Sequence, residues 1–344
     1  MKIGIWNTAF LGDAILTLPL IHTLARAYPD ADLHFYVRKG VEPLFAAQPE
    51  LAAVHGFAKR GKQKGLSGAY AMGRDLSRQG FDLWISPHTS LRSGLIARWS
   101  SIPRRIGYNR PRFNSFFYTH TVDRAFARFD EIERLLRLTG PLDLTPVHEP
   151  TLVLPDKALA NAAAYFHAMD DAPVLGIHPG STWPTKQWPE AYFSRVIDLA
   201  VEAGARVLVF GGPGEEDVAA RVVAGAQTPH KHDRVADLSG HLSLPELAAW
   251  LKRLNCYLTG DSGPMHLAWV QGTPVTAIFG PTVKDLGFFP RGERSTVIET
   301  SLDCRPCSLH GPKQCPQGHH RCMRDLSPEH VFNDVAAKLD VTHG

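Results

Sequence analysis

Short apolar runs rich in β-branched residues recur along the chain, each followed by a polar or glycine-containing loop and then by apolar positions at helical spacing. This alternation predicts parallel sheets flanked by helices. In the first half, residues 3–6, 33–37, 81–86 and 105–108 read as strands; 14–28 and 130–138 read as helices, the second ending at Gly140. Prolines then crowd residues 141–155 (Pro141, Pro146, Pro150, Pro155), which marks a boundary. A second series follows, with strands at Val174–His178, 206–210, 256–259 and Val275–Phe279. Its helices are Glu190–Glu202, 244–254, 265–270 and Pro328–Leu339. The expected architecture is α/β, with two doubly wound domains over residues 1–150 and 151–344 and a site in the cleft between them. Ligands of open parallel sheets bind beyond the carboxyl ends of the strands, so the loops that leave strands are the places to search.

With 344 residues, 44% of them apolar, the chain can fill two cores, and 21% charged residues excludes a disordered or fibrous chain. The first six residues read as a buried strand, not as a signal peptide. No stretch approaches the roughly 20 apolar residues of a membrane span, so a soluble, cytoplasmic protein is expected. The net charge of +3 is unevenly shared. Residues 1–150 hold 20 Lys and Arg against 13 Asp and Glu, giving +7; the rest hold 17 against 21, giving −4. A basic first half suits an anionic partner such as a phosphorylated lipid, a sugar acid or nucleic acid, with a solvated surface as the plain alternative.

Three loops carry the candidate chemistry. Residues 7–13 join the first strand to the first helix; Gly12 permits a tight turn, and Asp13 is either an N-cap or a reactive carboxylate on the cleft side. Residues 178–189 follow the first strand of the second domain, where Ser181, Thr185 and Lys186 suit a diphosphate. In residues 259–266, Ser262 and Gly263 offer backbone N–H groups at a helix start, an anion site that His266 faces from the first turn. The glycine-rich loop at 211–217 places Glu215 and Glu216 either against a nucleoside or in an ordinary first helical turn. No G-x-G-x-x-G fingerprint is present.

Taken together, Gly12-Asp13 with Pro19, the proline-bounded loop 179–189, and the run from Gly260 to Ala268 with Gly272-Thr273-Pro274 resemble glycosyltransferase family nine, the ADP-heptose:lipopolysaccharide heptosyltransferases. The resemblance spans nearly the whole chain, and the run 260–268 is its most specific part. It implies a GT-B fold, with two Rossmann-like domains facing across a cleft, the acceptor on the first and the nucleotide sugar on the second. It implies inverting transfer of heptose from ADP-heptose to the lipopolysaccharide inner core, with no obligatory metal and with peripheral contact at the cytoplasmic face of the inner membrane. By motif match Asp13 is the catalytic base, and Lys186, Asp261, Ser262, Gly263 and His266 surround the donor. Charge alone, with no motif, assigns Lys59, Arg60, Lys62 and Lys64 to a phosphorylated or sugar-acid-bearing acceptor. A base is needed because an acceptor hydroxyl is a poor nucleophile, and the departing diphosphate needs its growing charge stabilised. Asp30-Ala31-Asp32 lies between a helix and a strand and reads as a turn.

The tail segment 304–322 holds Cys304, Cys307, Cys315 and Cys322 among His310, His319 and His320. It resembles a metal knuckle without a clean second C-x-x-C, so a structural zinc, reduced thiols and disulfides all fit it. Cys256 begins a strand and belongs to a core. Two alternatives stand beside the transferase: a nucleotide-sugar epimerase on the same architecture, and a non-catalytic nucleic-acid-binding protein using a zinc module. The basic runs are not interleaved with aromatics, which argues against nucleic acid as a partner.

Overall fold

The computed structural model describes residues 1–59 and 65–341. The chain divides into two compact units, Met1–Pro155 and Asp156–Gly344.

Unit 1 contains β1 (Lys2–Trp6), α1 (Leu11–Leu16), α2 (Leu18–Ala27), β2 (Asp32–Arg38), β3 (Leu51–Phe57), α3 (Gly65–Leu76), β4 (Leu83–Ser86), α4 (Leu91–Trp99), β5 (Arg104–Tyr108), β6 (His120–Val122) and α5 (Glu131–Leu136). Its six strands form one parallel sheet in the order β3-β2-β1-β4-β5-β6. The central strands are apolar on both faces because helices cover both. An aromatic cluster fills one side: Trp6 lies 4.8 Å from Phe57 and 5.8 Å from Trp84, centroid to centroid. Gly4 is required there, since a Cβ at that position would sit 2.2 Å from the Trp84 ring.

The helix expected over 14–28 is two helices. Thr17 breaks it, donating its hydroxyl to the Asp13 carbonyl at 2.7 Å, and Pro19 takes the second position of α2, where a missing N–H costs nothing. Helices α3 and α4 are not legible as sequence periodicity because glycine serves them as a packing surface. A Cβ on Gly73 would lie 2.6 Å from the Trp99 side chain, and one on Gly94 would lie 2.3 Å from the Phe117 ring. The unforeseen strands β3 and β6 lie at the sheet edges, half exposed and without a continuous apolar run.

Unit 2 contains α6 (Asp156–His167), β7 (Val174–His178), α7 (Glu190–Glu202), β8 (Arg206–Val209), α8 (Glu216–Gly225), α9 (Lys231–Arg234), β9 (Val235–Asp237), α10 (Leu244–Leu251), β10 (Cys256–Gly260), α11 (Gly263–Val270), β11 (Val275–Phe279), β12 (Thr296–Glu299), α12 (Arg321–Arg324) and α13 (Pro328–Leu339). Its sheet, also parallel, runs β12-β11-β10-β7-β8-β9, the same permutation as unit 1. Its core joins Phe193, Val196 and Ile197 of α7 to Val331, Phe332 and Val335 of α13. Cys256 lies in this unit's core, as its sequence position suggests.

Each sheet reverses its order beside its first strand, between β1 and β4 and between β7 and β10. The loops leaving such a pair diverge to opposite faces and leave a crevice at the carboxyl ends. Among the described residues no helix is long and apolar enough to cross a membrane.

Gly4→Ala tests the packing of unit 1. Overpacking against Trp84 should lower stability by about 1–3 kcal/mol, read from urea unfolding followed by tryptophan fluorescence. An unchanged midpoint would show that the indole moves aside without cost.

Candidate functional site

In unit 1 the loop after β1 is held from within. The Asn7 side-chain amide donates to the Asp13 carbonyl (3.1 Å) and to the Thr17 hydroxyl (2.9 Å), which fixes the backbone that presents the Asp13 carboxylate. Asp13 is not the N-cap of α1. Phe10 occupies that position, Asp13 is the third helical residue, and its Oδ2 accepts the Phe10 N–H at 3.1 Å. Burial raises the proton affinity of this carboxyl above the ordinary aspartate value, while the Phe10 N–H, Arg124 and Lys59 pull the other way.

Lys59 and Arg124 act on it, and Arg38 and Arg92 flank Lys59; the four come from the ends of separate strands. Arg38 closes β2, Lys59 follows β3, Arg92 begins α4 after β4, and Arg124 follows β6. Burial, together with repulsion from Arg38 and Arg92, pulls the Lys59 ammonium down to about 8, and Asp13 opposes that shift. His88 lies 3.4 Å from Lys59 Nζ and 2.6 Å from the Ser93 hydroxyl. Burial and the cations Lys59 and Arg92 lower it to about 3, so its imidazole is neutral. Arg124 is clamped by Glu131 at 2.8 and 2.6 Å, and lies against the rings of Tyr108 and Phe126 at 5.5 and 5.2 Å. Glu131 also accepts from the fully buried Arg134 at 3.2 Å. Of the four lysines and arginines assigned from charge, Lys59 is here; Arg60, Lys62 and Lys64 lie outside the described residues. Arg38, Arg92 and Arg124 gave no sequence signal, because they lie far apart in the chain and only the strand order gathers them.

In unit 2 the loops after β7 and β10 meet at the point of reversal. Lys186 Nζ donates to Asp261 Oδ2 at 2.5 Å, with side chains only 9% and 12% exposed. The Thr282 hydroxyl, beyond β11, donates to the same oxygen at 2.7 Å. Lys186 is therefore a paired, positioned cation. The Lys186 carbonyl comes so close to β10 that a Cβ on Gly260 would meet it at 3.1 Å. Ser262 is the N-cap residue of α11, and its hydroxyl lies 3.2 Å from that of Thr259. Gly263 is the first residue of α11 and Pro264 the second. His266 is buried; its Nδ1 accepts from the Trp269 indole at 3.2 Å. Burial lowers it to about 4, with Asp261 opposing and Lys186 assisting, so this imidazole is also neutral. Two loop residues turn inward: the Ser181 hydroxyl accepts the Trp183 N–H at 3.2 Å, and the Thr185 hydroxyl donates to the Pro312 carbonyl at 2.5 Å. Glu215 binds His178 (2.9 Å) and the Gly212 N–H (2.7 Å), and Glu216 binds the Gly214 N–H (2.7 Å), so both satisfy their own loop.

The segment 304–322 packs on this site. His320 Nε2 meets the Thr185 carbonyl at 2.8 Å, and His310 stacks on Trp183. Arg305 donates to the carbonyls of Gly280, Phe279 (3.0 Å), Thr282 (2.6 Å) and Thr300 and to Glu299 (2.7 Å). It thus fixes the turn that carries Thr282. The five cysteines are free thiols, and among the described residues no group of three or more His, Cys, Asp or Glu is arranged to hold a metal ion. Their surroundings differ as well: Cys315 accepts backbone N–H groups of residues 317–320, which lower its thiol, whereas burial pushes Cys322 up to about 11. As folded, the segment fits a brace better than a zinc cage.

Asp261→Asn tests the buried pair. It leaves the Lys186 ammonium without a counter-charge and should cost about 3–5 kcal/mol. Lys186→Met combined with Asp261→Leu should recover most of that loss in thermal unfolding. A single variant as stable as the wild type would show that the pair does not hold the loop.

Comparison with known proteins agrees with this geometry. The profile of glycosyltransferase family 9 (heptosyltransferase) matches residues 69–317. The lipooligosaccharide heptosyltransferase 2 of Campylobacter jejuni is 25% identical, with 100% of each chain covered. A family 9 glycosyltransferase structure from Veillonella parvula superposes with a TM-score of 0.84 at 22% identity, covering 98% of this chain and 97% of that one. The Escherichia coli ADP-heptose lipopolysaccharide heptosyltransferase II structure gives 0.80 at 22% identity, covering 98% of each. The two Rossmann-like units are those of the GT-B fold, and with a family match across most of its length the chain belongs to glycosyltransferase family 9, the heptosyltransferases.

Proposed function

We propose that the protein transfers heptose from ADP-heptose to the lipopolysaccharide inner core, with inversion, at the cytoplasmic face of the inner membrane. The observation that carries this reading is the buried Asp13 carboxylate, raised in proton affinity and faced by Arg124 and Lys59, with Arg38 and Arg92 flanking Lys59. Unit 1 takes the acceptor. Arg38, Lys59, Arg92 and Arg124 attract its anionic groups, and Asp13 removes the proton from the attacking hydroxyl. Unit 2 takes the donor. As the sugar carbon's bond to the diphosphate breaks, ADP leaves with the electron pair; the Lys186 ammonium and the N–H groups opening α11 stabilise the charge that develops. Asp261 and Thr282 position Lys186, and a neutral His266 lies beside them without adding a charge. Ser181 and Thr185 shape the loop, and Gly263 lets the diphosphate approach the backbone.

No step of this scheme uses a metal. Zinc in the tail would be structural and would require Cys304, Cys307, Cys315 and Cys322 to turn to one point. Elemental analysis is expected to show metal-free protein with five titratable thiols in denaturant; one zinc per chain would show that they do turn.

The donor reading predicts that ADP and ADP-heptose raise the melting temperature while UDP and GDP ligands do not, since only a ligand bound to the native state stabilises it. A preference for UDP or GDP would contradict it. Asp13→Asn removes the proton acceptor and should lower kcat by roughly 10²–10⁴ with little change in donor Kd. Near-normal turnover would remove Asp13 from the chemistry. Because the base must be ionised, activity should fall as pH drops through a limb lying above the ordinary aspartate value. Lys59→Gln removes a charge that favours the carboxylate, so it should move this limb to higher pH. A limb that stays in place or moves down would show that Lys59 does not act on Asp13.

A further inference from the structure

Residues 83–122 contain six arginines and no lysine, aspartate or glutamate, the most one-sided stretch of the chain. They form β4, α4, β5, the turn before β6, and β6. On the outside of this region lie large apolar side chains that no core claims. Phe116 is 78% exposed, and Leu91 and Phe113 are exposed beside it. Leu66, also exposed, opens the neighbouring α3.

The turn carrying the phenylalanines is held rigidly. Asn114 is buried and donates to the carbonyls of Tyr108 (3.0 Å) and Arg110 (3.1 Å). Phe117 seats the turn on Gly94 of α4. Phe116, between these anchors, therefore faces water by construction and not through fraying, and Phe113, just before Asn114, is 38% exposed with its ring 5.9 Å from that of Phe117. Arg110 and Arg112 are exposed next to them.

Leu91 opens the helix that follows β4, and Arg110 and Arg112 lie where the chain leaves β5, at the carboxyl edge that also carries Asp13 and its cations. From there the turn runs back along the flank of unit 1, past Phe113 and Phe116, until the Phe117 carbonyl meets Arg105 near the start of β5.

We propose that this flank of unit 1 docks on an anionic lipid bilayer, with Phe113 and Phe116 entering the headgroup boundary and Arg110 and Arg112 meeting lipid phosphates. The pairing of apolar anchors with unopposed arginines is the chemistry of an interfacial contact, where neither signal alone gives stable binding. The inference rests on the lipid-linked acceptor proposed above, since docking here holds unit 1, which carries Asp13, at the surface where such an acceptor lies.

The test is co-sedimentation of the full chain with phosphatidylcholine vesicles, with and without 30 mol% phosphatidylglycerol, so about a third anionic lipid. Wild-type protein should bind the anionic vesicles and release as salt rises. Phe113→Ser with Phe116→Ser should weaken binding by about tenfold or more, and Arg110→Gln with Arg112→Gln by about fivefold per arginine. Both double variants should keep the ADP-induced thermal shift and their transfer to a water-soluble, deacylated acceptor. Wild-type protein that ignores anionic vesicles, or a phenylalanine variant that binds them equally well, would overturn the proposal. So would a wild-type dimer in size exclusion that the phenylalanine variant converts to monomer, because a second copy would then cover this face. Vesicle binding is read without substrate, so a failure of heptose transfer would count against the functional reading alone.

Discussion

In each parallel sheet the crossover connections run outward from a central strand in both directions, so the chain leaving the two central strands turns to opposite faces of the sheet. The opening this forces at β1/β4 and at β7/β10 is the constraint on which the rest depends. It gives Asp13 and Lys186 their surroundings without any residue having to be specialised for making a pocket. The same geometry draws residues remote in the chain, such as Lys186 and Asp261, into direct contact.

Charge is brought into these openings only with compensation. Glu131 answers Arg124 and Arg134, and Asp261 answers Lys186, with Thr282 on the same oxygen. A buried pair of this kind adds little net stability compared with apolar packing, yet losing one partner is costly. It fits a site where the position of a cation matters more than its free charge. The histidines follow the same logic. Half-buried His88 and buried His266 lie beside cations and stay neutral, so they shape their surroundings without adding charge.

The tail contributes by bracing. Arg305 gathers carbonyls from the end of β11 and the turn beyond it, and His320 and Pro312 hold the backbone and hydroxyl of Thr185. The loop that presents Lys186 is thereby tied to the turn that presents Thr282 by one segment.

The sequence by itself determined what local pattern can encode. Apolar runs bounded by turn residues placed β7 and β11, the period of α7 and α13 was plain, and the residues of three strand-to-helix loops named Asp13, Lys186 and Asp261. Edge strands β3, β6, β9 and β12 escaped because a half-exposed or three-residue strand has no continuous apolar run. Helices α3 and α4 escaped because glycine, weak as a helix former, is what their close packing needs. Only the tertiary structure decided which charges act together. Arg38, Arg92 and Arg124 are scattered in sequence and converge because strand order, not chain order, sets neighbours at a sheet's edge. It also decided that Asp13 reaches back to the Phe10 N–H from the third helical position instead of sitting at the N-cap, that Lys186 is already paired, and that among the described residues the four tail cysteines form no group arranged to hold a metal ion. These are matters of side-chain direction, which spacing along a loop does not fix.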